Sequence, residues 1–180
     1  MFARTERLTL RPGWIEDAPA LAAAIGHEAV VRNLSRVPWP YGLADAEAFI
    51  ARCFGDGGPC FLIFAHDHGR CDLIGGIGIG PLEDQPHMLG YWLTPAAWGR
   101  GYAVEAGRAV LDIAATLGIG RVTAGHYVDN PASGTVLRRL GFAATGTRSS
   151  ILSLGRGGRV ETIDYALDLP CRRVERRQAA

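Results

Sequence analysis

The sequence has no lysine: all 19 of its basic residues are arginine. Schiff-base catalysis and the phosphate-gripping lysine of nucleotide triphosphatases are therefore excluded. Charge of one sign is also missing. The formal net charge is +1, from 19 basic and 18 acidic residues, which argues against DNA or any partner held through global charge. No run of about 18 apolar residues occurs, so no membrane span is expected. The stretch Met1 to Arg7 is charged early and lacks the apolar run of a signal peptide, so the cytoplasm is the expected compartment. Cys53, Cys60, Cys71 and Cys171 form no Cys-x-x-Cys pair and no zinc-finger spacing with histidine. Free thiols and no metal are expected from them. His66-Asp67-His68 is metal-like in spacing, but it falls in a hairpin turn with no distant partner and reads as a solvated loop.

What is present fits one domain of ordinary size. The chain has 180 residues, and 48% are apolar, enough to bury a sizeable core. Its 24 glycines follow no period, which removes collagen-like and repeat readings.

Patterning gives the order of elements. Glu6 to Arg11 alternates, with Leu8 and Leu10 on one face: a half-buried strand. Glu16 to Ile25 is alanine-rich and helical, stopping at Gly26. Asp45 is placed to cap a second helix with Phe49, Ile50, Cys53 and Phe54 on its apolar face. Strands follow at Cys60–Ala65, Asp72–Gly80 and His87–Leu93. Ala103 to Leu117 has the clearest helical period, with Gly118 as its stop. Arg121–Tyr127 is a strand and Pro131–Leu140 a short helix. Two further strands run from Phe142 onward and over Val160–Leu167, around a Gly155–Gly158 turn. The expected fold is α+β, a mostly antiparallel sheet with one inserted strand-helix-strand unit. The tail, 170–180, is expected to be frayed.

Three stretches could carry chemistry. Gly75-Gly76-Ile77-Gly78-Ile79-Gly80 imitates a dinucleotide fingerprint, but Pro81 follows and no helix begins there; it reads as a strand with one bare face. Trp98-Gly99-Arg100-Gly101-Tyr102-Ala103 leads from a strand into the strongest helix. Glycines at a helix entry leave backbone N–H groups bare, the helix dipole adds about half a positive charge, and Arg100 adds a cation: a phosphate cradle. The third stretch runs from Asp129 to Phe142. Asn130 as N-cap, Pro131 at the first helical position and Gly141 past the end explain it structurally. Ser133 alone need not be polar for the fold.

Together these stretches resemble the GNAT superfamily of acetyl-CoA-dependent N-acetyltransferases, most closely its RimJ/RimL-like branch. The matching residues are Gly90-Tyr91-Trp92-Leu93, Trp98 to Ala106 with Glu105, Asn130, Ser133, Leu140-Gly141-Phe142, and the opening Thr5-Glu6-Arg7-Leu8. The resemblance covers roughly Thr5 to Leu169. It implies a single domain over 5–169 with a mixed, mostly antiparallel sheet of about seven strands, flanked by helices and splayed at the cofactor site. It implies acetyl-CoA as co-substrate. The pyrophosphate would sit on Trp98, Gly99, Arg100, Gly101, Tyr102 and Ala103, and the pantetheine arm along Trp92, Leu93 and Thr94, facing Asn130. Ser133 would serve the departing thiolate.

The implied reaction is direct attack by an amine in a ternary complex. The branch acts on N-terminal amino groups of ribosomal proteins, so a protein N-terminus is the first expectation, with ribosomal association open. A small-molecule amine is the alternative acceptor, and a CoA-binding module without catalysis is the alternative of another class. Many relatives carry glutamate where Met88 stands, so the usual base is missing; His126, His87 and Glu161 are the candidates. The basic segment Arg172 to Arg177 reads as a solubilising end or an RNA contact. The sequence leaves the acceptor and the oligomeric state open.

Overall fold

Leu8 and Leu10, two residues apart, are both fully buried, as their alternation with Arg7, Thr9 and Arg11 requires. They lie on β2 (Leu8–Arg11), between the two-residue β1 (Ala3–Arg4) and β3 (Cys60–Asp67). The computed structural model describes residues 1–53, 58–67 and 69–170. The tail 171–180, with Cys171 and the arginine-rich segment, lies outside them, as do Phe54, the Gly55–Gly57 part of its turn, and His68.

The remaining strands are β4 (Arg70–Leu82), β5 (Gln85–Leu93), β6 (Arg121–Tyr127), β7 (Ala143–Ser153) and β8 (Gly158–Asp168). They form one sheet in the order β1-β2-β3-β4-β5-β6-β8-β7. Every neighbouring pair is antiparallel except β5 and β6, which are parallel. The sheet has eight strands rather than about seven, the short β1 being the addition. The Gly75–Gly80 stretch lies inside β4. The hairpin expected over His66–Arg70 is tighter: β3 and β4 stay paired to Asp67 and Arg70, and His66 is a strand residue bonded to the Thr9 hydroxyl at 2.7 Å.

Among the described residues five α-helices cover the two faces: α1 (Ala18–Ile25), α2 (Glu28–Val31), α3 (Leu43–Cys53), α4 (Tyr102–Thr116) and α5 (Pro131–Arg139). On one face Ile77, Ile79, Leu89, Val122 and Ala124 pack against Ala106, Val110 and Ala114 of α4 and Leu137 of α5. On the other, Leu62, Phe64 and Trp92 pack against Leu21 and Ile25 of α1 and Ala46 and Ile50 of α3. Each cluster is a sheet face closed by the apolar stripe of a helix.

Two expectations are corrected. Asp45 does not cap α3: the helix begins at Leu43, and the Asp45 carboxylate reaches back to the Gly42 N–H at 2.8 Å from the third helical position. Cys53 and Cys60 are not free thiols but are joined as a disulfide, because the end of α3 and the start of β3 lie side by side with the two Cα atoms 6.3 Å apart. Cys71 is free and exposed.

Candidate active site

β5 and β6 are registered at only two pairs, Met88 with Thr123 and Leu89 with Ala124, and then part. A parallel pair held at one end leaves a cleft at the other, with β5 backbone bare along one wall. A cavity of about 1030 Å³ occupies this opening and continues under α1–α3. Antiparallel pairing decides which amides face it. Thr94 N–H donates to the Ile74 carbonyl at 2.8 Å, so Thr94 and, by alternation, Trp92 turn their backbone groups toward β4. Tyr91 and Leu93 turn theirs to the cleft. The Leu93 carbonyl is already taken, accepting from Trp98 Nε1 at 2.8 Å. Of Trp92, Leu93 and Thr94, Leu93 therefore offers its N–H to the cleft, while Trp92 contributes an indole lying over Gly76 on the α1–α3 face.

The helix entry is built as a cradle. Gly99 and Gly101 have φ of 72° and 81°, the left-handed region where a side chain is strained. Those turns lead the chain into α4 with its first N–H groups forward. The first helical bond runs from Glu105 N–H to the Gly101 carbonyl, and among the described residues nothing accepts from the backbone N–H groups of Gly99 through Val104. These bare donors and the helix dipole suit an anion. Arg100 and Arg7 lie over the Tyr102 ring, 5.1 and 4.7 Å from its centroid. Trp98, 48% exposed, stands at the rim.

Arg7 was not legible as part of this site. Its Nε donates to Glu105 Oε2 at 2.8 Å, its backbone N–H to Glu105 Oε1 at 2.9 Å, and its Nη1 to the Arg100 carbonyl at 3.0 Å. Thr5 donates to the same carboxylate at 2.6 Å. Burial pushes the Glu105 carboxyl up, but the hydrogen bonds from Thr5 and Arg7 and the guanidinium charge outweigh it and hold it below its usual range. One carboxylate thus ties the opening segment to the first turn of the cradle helix. Local sequence gives no signal for a contact between residues so far apart in the chain.

Across the cleft, Asn130 caps α5: its side chain accepts from the Ser133 N–H at 3.4 Å, and Pro131 opens the helix. Ser133 Oγ lies 2.7 Å from Tyr91 Oη, whose hydroxyl also lies 3.2 Å from the Ser133 carbonyl. Burial pushes the Tyr91 phenol up to about 12, against the hydrogen bond from Ser133, so it stays protonated at neutral pH. Tyr91 stood in plain sight in Gly90-Tyr91-Trp92-Leu93, but the motif assigns it no role. Its partner on α5 is what reveals it.

Of the residues considered as bases, only His126 lines the cavity. It is 7% exposed. Its Nδ1 lies 2.8 Å from the Tyr127 carbonyl, an acceptor, so Nδ1 carries the hydrogen and Nε2 is the nitrogen left to take a proton. That nitrogen lies against Gly134 of α5, where a Cβ would come within 2.5 Å of it. His87 is exposed near the β4–β5 turn and Glu161 is exposed and paired with Arg148 at 3.1 Å; neither lines the cavity. Met88 does, 3.4 Å from where a Cβ on Gly125 would stand, and its thioether cannot take a proton.

A network of ion pairs braces the far side. Asp129 accepts both Arg156 Nη atoms at 2.9 and 3.0 Å and Arg32 at 3.1 Å, fixing the residue before the α5 cap. The Tyr127 hydroxyl, buried on the cavity wall, has no hydrogen-bond partner among the described residues. Among those residues no group of three or more His, Cys, Asp and Glu is placed to hold a metal, and no helix is long and apolar enough to cross a membrane.

Comparison with known proteins points one way. The family model described as "Acetyltransferase (GNAT) domain" matches residues 7–143. An uncharacterized N-acetyltransferase of Bacillus subtilis, YoaA, is 30% identical over 155 residues, covering 79% of this chain and 82% of that protein. A GNAT-family acetyltransferase structure from Bacillus anthracis superposes with a TM-score of 0.78 at 22% identity, over 93% of this chain and 98% of that one. The structure of RimL, a ribosomal alpha-N-protein acetyltransferase in complex with coenzyme A, gives a TM-score of 0.76 at 21% identity, over 95% and 99%. At those identities the two structures speak for the fold.

Proposed function

The chain belongs to the GNAT acetyltransferase family, and from that premise we propose that it acetylates a primary amine, a protein N-terminal amino group first, with acetyl-CoA as donor in a ternary complex. The observation that carries the reading is the cleft itself. It runs without interruption from the bare N–H groups of Gly99–Val104, past Tyr91 and Ser133, to a chamber under α1–α3. Donor and acceptor can therefore occupy it together, from opposite ends.

The residues present fit such a donor. The Gly99–Ala103 N–H groups and Arg100 suit its pyrophosphate, the cleft-facing amides of Tyr91 and Leu93 suit an amide-rich arm added as an extra strand, and Asn130 borders the same space. When bound, acetyl-CoA supplies an activated acyl group. The chain's part is to hold it, exclude water and move protons. As the amine nitrogen bonds to the carbonyl carbon and the C–S bond breaks, the leaving sulfur needs a proton; the Tyr91–Ser133 pair holds a hydroxyl hydrogen between two oxygens facing the cleft. The amine loses a proton. An α-amino group with a pKa of about 7.7–8.0 is partly neutral already, so His126 or water suffices where Met88 cannot act.

The protein N-terminus is placed first because the fold is shared with an enzyme described as a ribosomal alpha-N-protein acetyltransferase. Initial-rate kinetics with acetyl-CoA and a panel of N-terminal peptides and small amines tests this. Intersecting double-reciprocal plots with peptide acceptors support it. Turnover confined to small amines assigns the acceptor to that class, and acetyl-CoA binding without turnover on any amine removes catalysis.

A further inference from the structure

Resting on that reading, we propose that the acceptor is an anionic amine: an N-terminal peptide carrying aspartate or glutamate within its first few residues. The chamber under α1–α3 has a one-sided chemistry. Its charged wall residues are Arg36 and Arg52, with Arg139 on α5 further along the cavity, and among the described residues no aspartate or glutamate lines it. Arg52, on the last turn of α3, has no hydrogen-bond or ion-pair partner among the described residues. Arg36 donates to the Pro81 carbonyl, which anchors it across the chamber mouth, and no described carboxylate pairs with its charge.

The Tyr41 hydroxyl on the same wall adds a donor. Burial pushes the Tyr41 phenol up to about 12, with the Asp45 charge adding to it and Arg52 opposing it, so Tyr41 stays a donor at neutral pH. A wall with two arginines and, among the described residues, no carboxylate selects against di- and polycationic amines by charge, and toward an acceptor that brings carboxylates of its own. Guanidinium matches a carboxylate in a two-pronged geometry that a neutral side chain cannot replace.

The test is kcat/KM for three peptides of equal length with the same first residue, bearing acidic, amide or arginine side chains at the next positions, together with a free amino acid and its amide. The acidic peptide is expected to exceed the amide peptide by about tenfold, since exposed charged hydrogen bonds are worth little more. The ratio is expected to shrink with added salt and to move toward one in Arg52→Gln and Arg36→Gln, read as a ratio so that a partly unfolded variant does not mimic the effect. A free amino acid preferred over its amide and over all peptides supports the anionic acceptor with a small molecule as its source. Equal rates, or a preference for the arginine peptide, overturn the inference and leave acetyl transfer standing. Bound acetyl-CoA with no amine acetylated overturns both.

Discussion

The Tyr91 and Ser133 hydroxyls meet at 2.7 Å across the gap where β5 and β6 part. One residue stands on a strand, the other on the first turn of a capped helix, and the Tyr91 hydroxyl also donates to the Ser133 carbonyl at 3.2 Å. If the pair delivers the proton to the leaving sulfur, Ser133→Ala and Tyr91→Phe each lower kcat by about 10²–10⁴-fold, with acetyl-CoA affinity nearly unchanged. The double variant should fall little further, because the residues act as a unit. Variants that only raise KM, measured in steady state, would make both residues binding contacts.

Gly101 sits at φ 81° at the entry of α4, and a Cβ there would lie 3.5 Å from Arg7 Nη2. Gly101→Val puts a β-branched residue in the left-handed region and in the path of an anion. Calorimetric titration should show acetyl-CoA affinity lowered by tenfold or more, about 1.4 kcal/mol, with a lowered Tm. Unchanged affinity in a folded variant would remove the cradle.

Glu105 is held below its usual carboxylate range despite burial, by Thr5 and Arg7. A carboxyl depressed by folding adds stability that is fully present above its unfolded pKa of about 4.3 and is lost as pH falls through the lower folded value. Melting curves between about pH 6 and pH 3 should show Glu105→Gln less stable than the parent at pH 6. The difference should narrow toward the acid end. A constant difference would mean that packing rather than charge carries the effect.

His126 and Gly134 are packed so closely that Gly134→Ala must move one of them. It should cost about 1–3 kcal/mol in denaturant melts, as overpacking does. If His126 is also the base, His126→Gln removes the acid-side fall of kcat/KM while His87→Gln and Glu161→Gln keep it. An acid limb that survives in His126→Gln and follows the pKa of each amine would mean that the amine arrives deprotonated from water.

Much of this arrangement was legible because it is local. Asn130-Pro131 and Gly141 mark the ends of α5, the glycines before Tyr102 mark the cradle, and the Ala103–Leu117 period marks α4. What escaped was long-range. The Arg7–Glu105 clamp joins the segment before β2 to α4, and Tyr91 gains meaning only opposite Ser133. The Cys53–Cys60 bond depends on α3 and β3 meeting at those two residues, against an expectation of free thiols. Backbone alternation likewise assigned the cleft-facing amides to Tyr91 and Leu93, where a motif names only consecutive residues.

The account stands most directly on one measurement: rapid quench of the protein with acetyl-CoA labelled in its acetyl group and an amine acceptor, following the label in acceptor and protein while counting thiol released. Direct transfer predicts one acetylated amine per thiol, with no label on the protein at any time. Label passing through the protein, or thiol released without acetylated amine, would contradict it.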